Sequence, residues 1–253
     1  MSERLQILAV NDDGIHAPGL RAMAMALRRW GDVQVVAPLV EQSGVSHRIT
    51  YLHPIMVKEI REDSGEHYGW AVDGSPADCV KLGVLEFSPR KPDLIVSGIN
   101  SGANVGINVI YSGTVAAAIE GAFFGIMSVA VSLSQGTTPD YHAAAERLLP
   151  LIQDRWERRQ DGGQLWNINL PDTSTDGPKG VRMCSMGVKR HTDTIEKRVD
   201  PRGRPYYWSG IDPLKNHLNE PGLDVFELKA GYITVTPLRF DLTDMEMLRR
   251  VEG

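Results

Sequence analysis

The sequence has little cysteine, no long apolar run and no excess of basic charge, and each absence excludes a class of protein. Its two cysteines, Cys79 and Cys184, lie far apart among apolar or small residues, so we expect no disulfide framework. No stretch reaches the roughly 18 apolar residues that span a bilayer, so we expect a cytoplasmic protein with no membrane partner. The 27 basic and 32 acidic residues give a net charge of -5, so we expect no nucleic-acid partner.

Two common nucleotide-binding motifs are also missing. No Gly-Lys-Ser or Gly-Lys-Thr occurs, which excludes a P-loop, and the first apolar run is not followed by the glycine pattern of dinucleotide-binding folds. At 253 residues, 42% hydrophobic and 23% charged, the chain is still an ordinary globular protein that can bury a continuous core. A small anion can bind despite the negative net charge, because a metal ion and oriented amides dominate at short range.

Short apolar runs alternate with helix-forming stretches along most of the chain. The first forty residues predict a strand, a helix opened by Pro18 and a second strand, which together form a βαβ unit. We therefore expect an α/β fold with a parallel sheet. Residues 48–72 suit a hairpin. The predicted strands are residues 5–10, 33–37, 93–97, 128–133, 165–170 and 232–237, and the predicted helices are 77–86, 114–124, 140–159 and 243–250.

Residues 187–223 differ in composition from the rest of the chain. Charged residues, glycines, prolines and an aromatic run at 206–208 replace the strand–helix alternation, so we predict an extended hairpin arm. We divide the chain into a metal- and phosphate-binding core at 1–186, the arm at 187–223, and a returning strand with a C-terminal helix at 224–253. Exposed aromatics suit burial between subunits, and nucleic-acid binding by residues 189–215 is the weaker alternative.

An acidic pair directly follows the first predicted strand. Asn11, Asp12, Asp13 and Gly14 form a polar turn at the point where ligands bind in open parallel sheets. Two adjacent carboxylates repel each other unless a cation or a donor lies between them, and a divalent metal ion is the simplest partner. Taken alone, the motif is more often a turn in which one aspartate caps a helix.

Two further polar loops follow predicted strands. Residues 41–47 include Ser43 and Gly44 and offer oxygen ligands, although an ordinary polar turn is the simpler explanation of this loop alone. Residues 97–106 are rich in glycine, asparagine and serine, which suits metal and phosphate contacts. At 112–114 the free N–H groups and dipole of a helix start favour an anion, so we predict a phosphate site there.

These motifs together resemble the SurE family, stationary-phase survival proteins that are 5′-nucleotidases. The resemblance runs along nearly the whole chain. It is carried by NDDG at 11–14, SG at 43–44, SGINSGANVG at 97–106, YSGTVAAAIEG at 111–121 and YITVTPL at 232–238.

The resemblance implies a Rossmann-like sheet, hydrolysis of nucleoside 5′-monophosphates, and one divalent metal ion per subunit (Mg²⁺, Mn²⁺ or Ca²⁺). It also implies a homodimer or homotetramer that pairs through the arm. The sequence leaves 3′-nucleotides and short polyphosphate open as further substrates. The residues it assigns are Asp12, Asp13, Ser43 and Asn100 as metal ligands, Asp12, Asp13 and Asn100 as catalytic residues, and Asn11, Gly44, Asn100, Gly102, Ser112, Gly113 and Thr114 as phosphate or substrate contacts.

Two positions depart from the family pattern. His47 stands where some relatives have asparagine, and we expect it to tune substrate choice. Leu223 and Asp224 stand where a Thr-Asp pair is common, and we expect them to be peripheral. His16 and His47 lie near the predicted loops, but a lone loop histidine is more often solvated than catalytic.

Two alternatives in function remain open. One makes Asp12 a nucleophile that forms an aspartyl-phosphate, which the missing Asp-x-Asp spacing disfavours. The other is a non-catalytic module that senses nucleotides with the same metal and phosphate site. The all-oxygen donor set suits Mg²⁺, Mn²⁺ or Ca²⁺ and disfavours structural zinc under either alternative.

Overall fold

The N-terminal βαβ unit is present as predicted. The computed structural model describes residues 4–134, 136, 139–172, 177–188, 194–210 and 220–252. The unit consists of β1 (Leu5–Val10), α1 (Pro18–Arg28) and β2 (Gly31–Pro38). Pro18 lies in the first turn of α1. N–H groups in this turn have no intrahelical acceptor, so the N–H that proline lacks costs the helix no hydrogen bond.

A hairpin and a short helix follow the βαβ unit. The predicted hairpin occupies only the second half of residues 48–72, as β3 (Val57–Arg61) and β4 (His67–Val72). The next predicted helix is split into α2 (Pro76–Leu82) and a π-helical turn (Gly83–Phe87). α2 begins with a reciprocal cap, since Ser75 accepts the Asp78 N–H and the Asp78 carboxylate accepts the Ser75 N–H.

The middle of the chain supplies three further strands of the sheet. Its elements are β5 (Leu94–Ser101), α3 (Asn108–Tyr111), α4 (Gly113–Phe123), β6 (Met127–Leu133), α5 (Tyr141–Glu157) and β7 (Leu165–Leu170). The strand end predicted at residue 97 was wrong, because β5 pairs with β6 again at Asn100 and Ser101 after an irregularity in register. The four-residue helix α3 was not predicted.

The C-terminal part contains the predicted hairpin and a return to the sheet. Its elements are β8 (Val181–Met183), β9 (Thr194–Val199), β10 (Pro205–Gly210), α6 (Asp224–Lys229), β11 (Ile233–Leu238) and α7 (Met245–Glu252). Among the described strands, β9 and β10 pair with each other alone, in antiparallel register. Parts of the predicted arm, residues 189–193 and 211–219, lie outside the described residues.

Nine of the described strands form one mixed sheet in the order β3-β4-β2-β1-β5-β6-β7-β11-β8. The six strands from β4 to β7 run parallel to one another. β3 is antiparallel to β4, and β11 is antiparallel to β7 and parallel to β8. The chain leaves β1 toward β2 on one side and later places β5 on the other side. β1 therefore marks a switch point, where loops diverge and ligands bind at the carboxyl ends of the strands.

Helices cover both faces of the sheet. Ile7 and Ala9 pack in a cluster with residues of α1 and α5, while Leu8 and Val10 pack with residues of α2. A strand buried on both faces reads as an unbroken apolar run, as β1 does. The α/β fold with a mostly parallel sheet, flanking helices and a C-terminal hairpin is confirmed. No helix within the described ranges has the length and apolarity needed to cross a membrane.

Candidate active site

The turn after β1 holds the acidic pair in place. The Asn11 side chain accepts the Gly14 N–H at 3.2 Å and donates to the Gly14 carbonyl at 2.9 Å, which closes the turn. α1 starts later, after Ala17, so neither aspartate caps that helix. Asn11 is fully buried, and its side chain stabilises the turn. Its contact with phosphate remains a prediction.

Asp12 is a nearly buried carboxylate, only 3% exposed. Its Oδ1 accepts the Thr114 hydroxyl at 2.5 Å. Burial raises the pKa of Asp12 to about 6; the Thr114 hydrogen bond opposes this shift and the charge of Asp13 adds to it. Burial also raises the pKa of Asp13, although that carboxylate accepts the Ser101 N–H at 3.1 Å. Burial therefore outweighs the hydrogen bonds that favour the ionised form of each carboxylate.

The loop after β2 lies beside the acidic pair. The Gln42 N–H donates to the Asp12 carbonyl at 2.7 Å, which joins the two loops. Ser43 and Gly44 are exposed at the turn that follows. The Ser43 hydroxyl donates to Glu41 at 2.7 Å, so its oxygen lone pairs remain available to a ligand.

Asn100 lies near the end of β5 with its side chain oriented by the backbone. Its Nδ2 donates to the Gly102 carbonyl at 2.7 Å, and the residue is 8% exposed. The amide nitrogen is thereby engaged, which leaves Oδ1 as the group able to accept or to bind a cation. Gly102 is itself held by its N–H, which donates to the Leu133 carbonyl at 2.8 Å.

The start of α4 packs directly against Asp12. A Cβ atom at Gly113 would lie 2.8 Å from the Asp12 Cβ, so only glycine permits this approach. Ser112 is the N-cap residue, and its side chain accepts the Val115 N–H at 3.1 Å. Thr114 is fully buried and bonded to Asp12, so it positions the carboxylate. Its predicted contact with phosphate stays a prediction.

Asn104 is a buried residue whose importance the sequence did not suggest. Its N–H donates to Asn169 Oδ1 at 2.8 Å, and its carbonyl accepts from Asn167 at 2.7 Å and from Asn169 at 3.1 Å. Its own Nδ2 donates to Ser132 at 3.0 Å. The available signal was the pair of asparagines in the otherwise apolar strand β7.

The three loops and the start of α4 enclose one cavity of about 270 Å³. Six of the predicted site residues line it directly, whereas Asn11, Asp13, Gly113 and Thr114 do not. Gly113 and Thr114 contact the lining residue Asp12, and Asp13 accepts the N–H of the lining residue Ser101. The cavity lining consists of Asp12, Ser43, Gly44, Asn100, Ser101, Gly102, Ala103, Asn104, Asn108, Tyr111 and Ser112.

A larger cavity of about 520 Å³ lies at the opposite edge of the sheet, near Pro92, Met127 and Trp156. It contains none of the predicted site residues. Open parallel sheets bind ligands at the carboxyl ends of their strands, and this cavity lies at the amino ends of β5 and β6. The nearly buried Asp12 in its lining therefore identifies the smaller cavity as the candidate site.

The donors around the cavity fit a hard divalent cation. Asp12, Asp13, Ser43 and Asn100 offer carboxylate, hydroxyl and amide oxygens. In the part of the chain that is described, no three His, Cys, Asp or Glu side chains group closely enough to hold a metal ion. A metal must therefore use neutral oxygens as well as carboxylates, which suits Mg²⁺, Mn²⁺ or Ca²⁺ better than zinc.

Comparison with known proteins assigns the chain to a family. The family model described as Survival protein SurE matches residues 7–193. A protein named 5′-nucleotidase SurE from Rhodopirellula baltica is 48% identical over 252 residues, 98% of each chain. The chain belongs to the SurE family. A second relative, 5′-nucleotidase SurE 1 from Thermus thermophilus, is 42% identical over 251 residues, 98% of this chain and 97% of that protein.

The SurE family assignment extends to the fold. The crystal structure of the SurE protein from Aquifex aeolicus has a TM-score of 0.81 and 35% identity, covering 98% of this chain and 100% of that one. The segment matched by the SurE family model contains every predicted site residue.

His47, one of the two departures from the SurE pattern, lies outside the cavity lining. Its Nε2 lies 2.7 Å from Glu120 Oε2, and its ring stacks on Phe123 at 5.4 Å. Lys81 Nζ lies 3.7 Å from the other Glu120 oxygen. His47 therefore belongs to a separate charged cluster beside α4, and its effect on substrate choice remains a prediction.

Proposed function

We propose that the chain is a metal-dependent 5′-nucleotidase that hydrolyses nucleoside 5′-monophosphates to nucleoside and phosphate. The observation that carries the proposal is an acidic pair beside a helix start: Asp12 is buried and lines an open cavity, and the adjacent Asp13 is partly buried. The names of the relatives from Rhodopirellula baltica and Thermus thermophilus support the same activity.

A divalent metal ion is the proposed cofactor, one per subunit, held by Asp12, Asp13, Ser43 and Asn100. When bound, it supplies positive charge for a phosphoryl oxygen and for activation of a water molecule. The raised pKa values of both aspartates support this assignment, because a cation offsets the repulsion and burial that raise them.

The chain's own residues bind and orient the phosphate. The N–H of Gly113, in the first turn of α4, is a helix-start donor that suits a phosphate oxygen, whereas the Thr114 N–H hydrogen-bonds to the Asp12 carboxylate. The Thr114 hydroxyl orients the Asp12 carboxylate, and the Ser101 N–H orients that of Asp13. One carboxylate of the pair accepts the proton of the attacking water. Stabilisation of charge by prearranged donors is the main expected source of catalysis.

Phosphate release from AMP and GMP, measured with and without EDTA, tests the proposal. We expect release that EDTA abolishes and that added Mg²⁺ or Mn²⁺ restores. AMP binding without phosphate release would instead support the nucleotide-sensing alternative. Release that persists unchanged in EDTA would contradict the metal assignment.

The finer properties follow from the same proposal. 3′-nucleotides and short polyphosphate are proposed further substrates, and the cytoplasm is the proposed location. We propose a homodimer or homotetramer that pairs through the arm. In support, the arm strand β10 exposes Tyr207 and Trp208 by 60% and 59%, and contiguous exposed apolar surface is typical of association sites.

A further inference from the structure

Asp224, which we expected to be peripheral, is completely buried, and for this residue that expectation is wrong. It is the first residue of α6. Its Oδ2 accepts the Gly106 N–H at 2.9 Å, and its Oδ1 accepts the Gly187 N–H at 2.9 Å and the Val225 N–H at 2.8 Å. A buried carboxylate satisfied by several backbone amides is a strong, directional clamp.

Gly106 connects this clamp to the cavity. It closes the loop 102–106, whose first three residues line the cavity wall. The loop is also fastened by Val105, which packs in a cluster with Val225 and Leu228. A Cβ at Gly106 would lie 2.9 Å from Val225 Cγ2, so the loop and α6 are in close contact.

Gly187 connects the same carboxylate to the base of the arm. The Asp224 N–H donates to the Ser185 carbonyl at 2.9 Å, and the Ser185 N–H donates to the Gly222 carbonyl at 2.9 Å. Both ends of the predicted arm are therefore fixed beside the loop that forms the cavity wall.

We propose that Asp224 is a positioning residue, which holds the loop 102–106 and the base of the arm together so that the cavity keeps the shape that binds the substrate phosphate. The inference rests on the proposed function for its effect on catalysis. Removal of the carboxylate leaves buried N–H groups without an acceptor, and the loop is the element that can move to rehydrate them.

Hydrogen exchange and steady-state kinetics with AMP test this role in the full chain. Asp224→Ala should raise the exchange rate across residues 102–109 and raise KM for AMP, each by about tenfold, with a smaller change in kcat. Asp224→Asn keeps one acceptor oxygen, so it should fall between the wild type and Asp224→Ala. If Asp224→Ala does not fold, Asp224→Asn carries the same test.

Two control variants separate positioning from general destabilisation. Ile152→Val weakens the core in α5, near the end of that helix where Trp156 lines the larger cavity. Asp200→Asn alters an arm carboxylate that also accepts backbone N–H groups, from Arg202 and Arg204, but lies away from the loop. We expect neither control to change exchange across 102–109 or KM.

Unchanged exchange and KM in both Asp224 variants would overturn the proposal, as would equal changes in Ile152→Val. If the wild type does not hydrolyse AMP, the proposed function fails. The exchange data would still decide whether Asp224 holds the loop.

Discussion

The carboxyl edge of the sheet buries polar side chains, whereas the hairpin arm exposes aromatic ones. At the sheet edge, Asp12, Thr114 and Asn104 are buried and hydrogen-bonded within one chain. In the arm, Tyr206, Tyr207 and Trp208 are 41%, 60% and 59% exposed. At the edge, hydrogen bonds within the chain hold the polar side chains in place, whereas the described part of the arm leaves its aromatic side chains exposed.

This difference indicates that the residues of a single chain can form the candidate site. The arm, in contrast, has the kind of surface that binds another subunit. Buried polar networks are rigid when all their groups are paired, which suits a site that must orient phosphate. Exposed aromatics are typical of surfaces that become buried on association. Asp224 lies where these two regions meet, since it binds both Gly106 and Gly187.

The largest expected effect comes from Asp12→Asn, which removes half of the acidic pair. Phosphate release from AMP should fall on the order of 1,000-fold, because charge stabilisation is the main contribution to catalysis. The fold should persist. Asp140→Asn, which alters the cap of α5, is the matched control and should keep normal activity. Near-normal turnover in Asp12→Asn would show that the edge is not the catalytic site.

Asn100→Ala should have the next largest effect and should exceed Asn104→Ala. The Asn100 side chain supplies the oxygen that we assign to the metal, so turnover should fall roughly 100-fold. Most hydrogen bonds of Asn104 use its backbone, which alanine keeps. Equal losses of kcat in the two variants would show that the cavity wall and the metal site were assigned to the wrong residues.

The stability of the metal-free protein should depend on pH through Asp12. Its folded pKa of about 6 exceeds the ordinary 3.8, so the folded state holds this proton more tightly than the unfolded state does. The resulting stabilisation is complete below the ordinary pKa and is lost as pH rises through 6. Relative to Asp12→Asn, the wild type should lose on the order of 2 kcal/mol between pH 4 and pH 7.

Urea unfolding in EDTA at several pH values measures this difference. The opposite sign, with the wild type gaining stability relative to Asp12→Asn as pH rises, would contradict the burial of an uncompensated carboxylate. Added Mg²⁺ should reduce the wild type's loss of stability at pH 7, since a ligand that binds only the folded state stabilises that state.

The smallest expected effect on catalysis comes from the arm. Replacing Tyr207 and Trp208 by serine should weaken subunit association in sedimentation velocity and leave metal-dependent turnover within about threefold, because neither residue lines the cavity. Tyr51→Ser, at a tyrosine that is 77% exposed outside the arm, is the control. Unchanged association of the arm variant would refute the arm as the pairing element.

Sequence patterns predicted long elements well and short ones poorly. β1 and α4 lie close to their predicted positions, because unbroken apolar or alanine-rich stretches carry their own signal. α3, β8 and α6 span four, three and six residues and were missed, since such elements depend on tertiary contacts. The extension of β5 to Ser101 likewise depends on pairing with β6.

The candidate site shows the same limit. Strand ends and glycine-rich loops pointed to the turn at Asp12 and Asp13 and to the loops 41–47 and 97–106, because those signals are local. The choice of Ser43 and Asn100 within these loops came from the resemblance to the SurE family. Asp224 gave no local signal, since its partners Gly106 and Gly187 are 118 and 37 residues away in the chain. Only the fold brings such groups together.

Anomalous diffraction at the manganese edge, from crystals grown with Mn²⁺, tests the central claim most directly. The account predicts one peak per subunit, about 2.0–2.6 Å from oxygens of Asp12, Asp13, Ser43 and Asn100. A map without a peak at the acidic pair, or with its main peak in the larger cavity near Trp156, would contradict it.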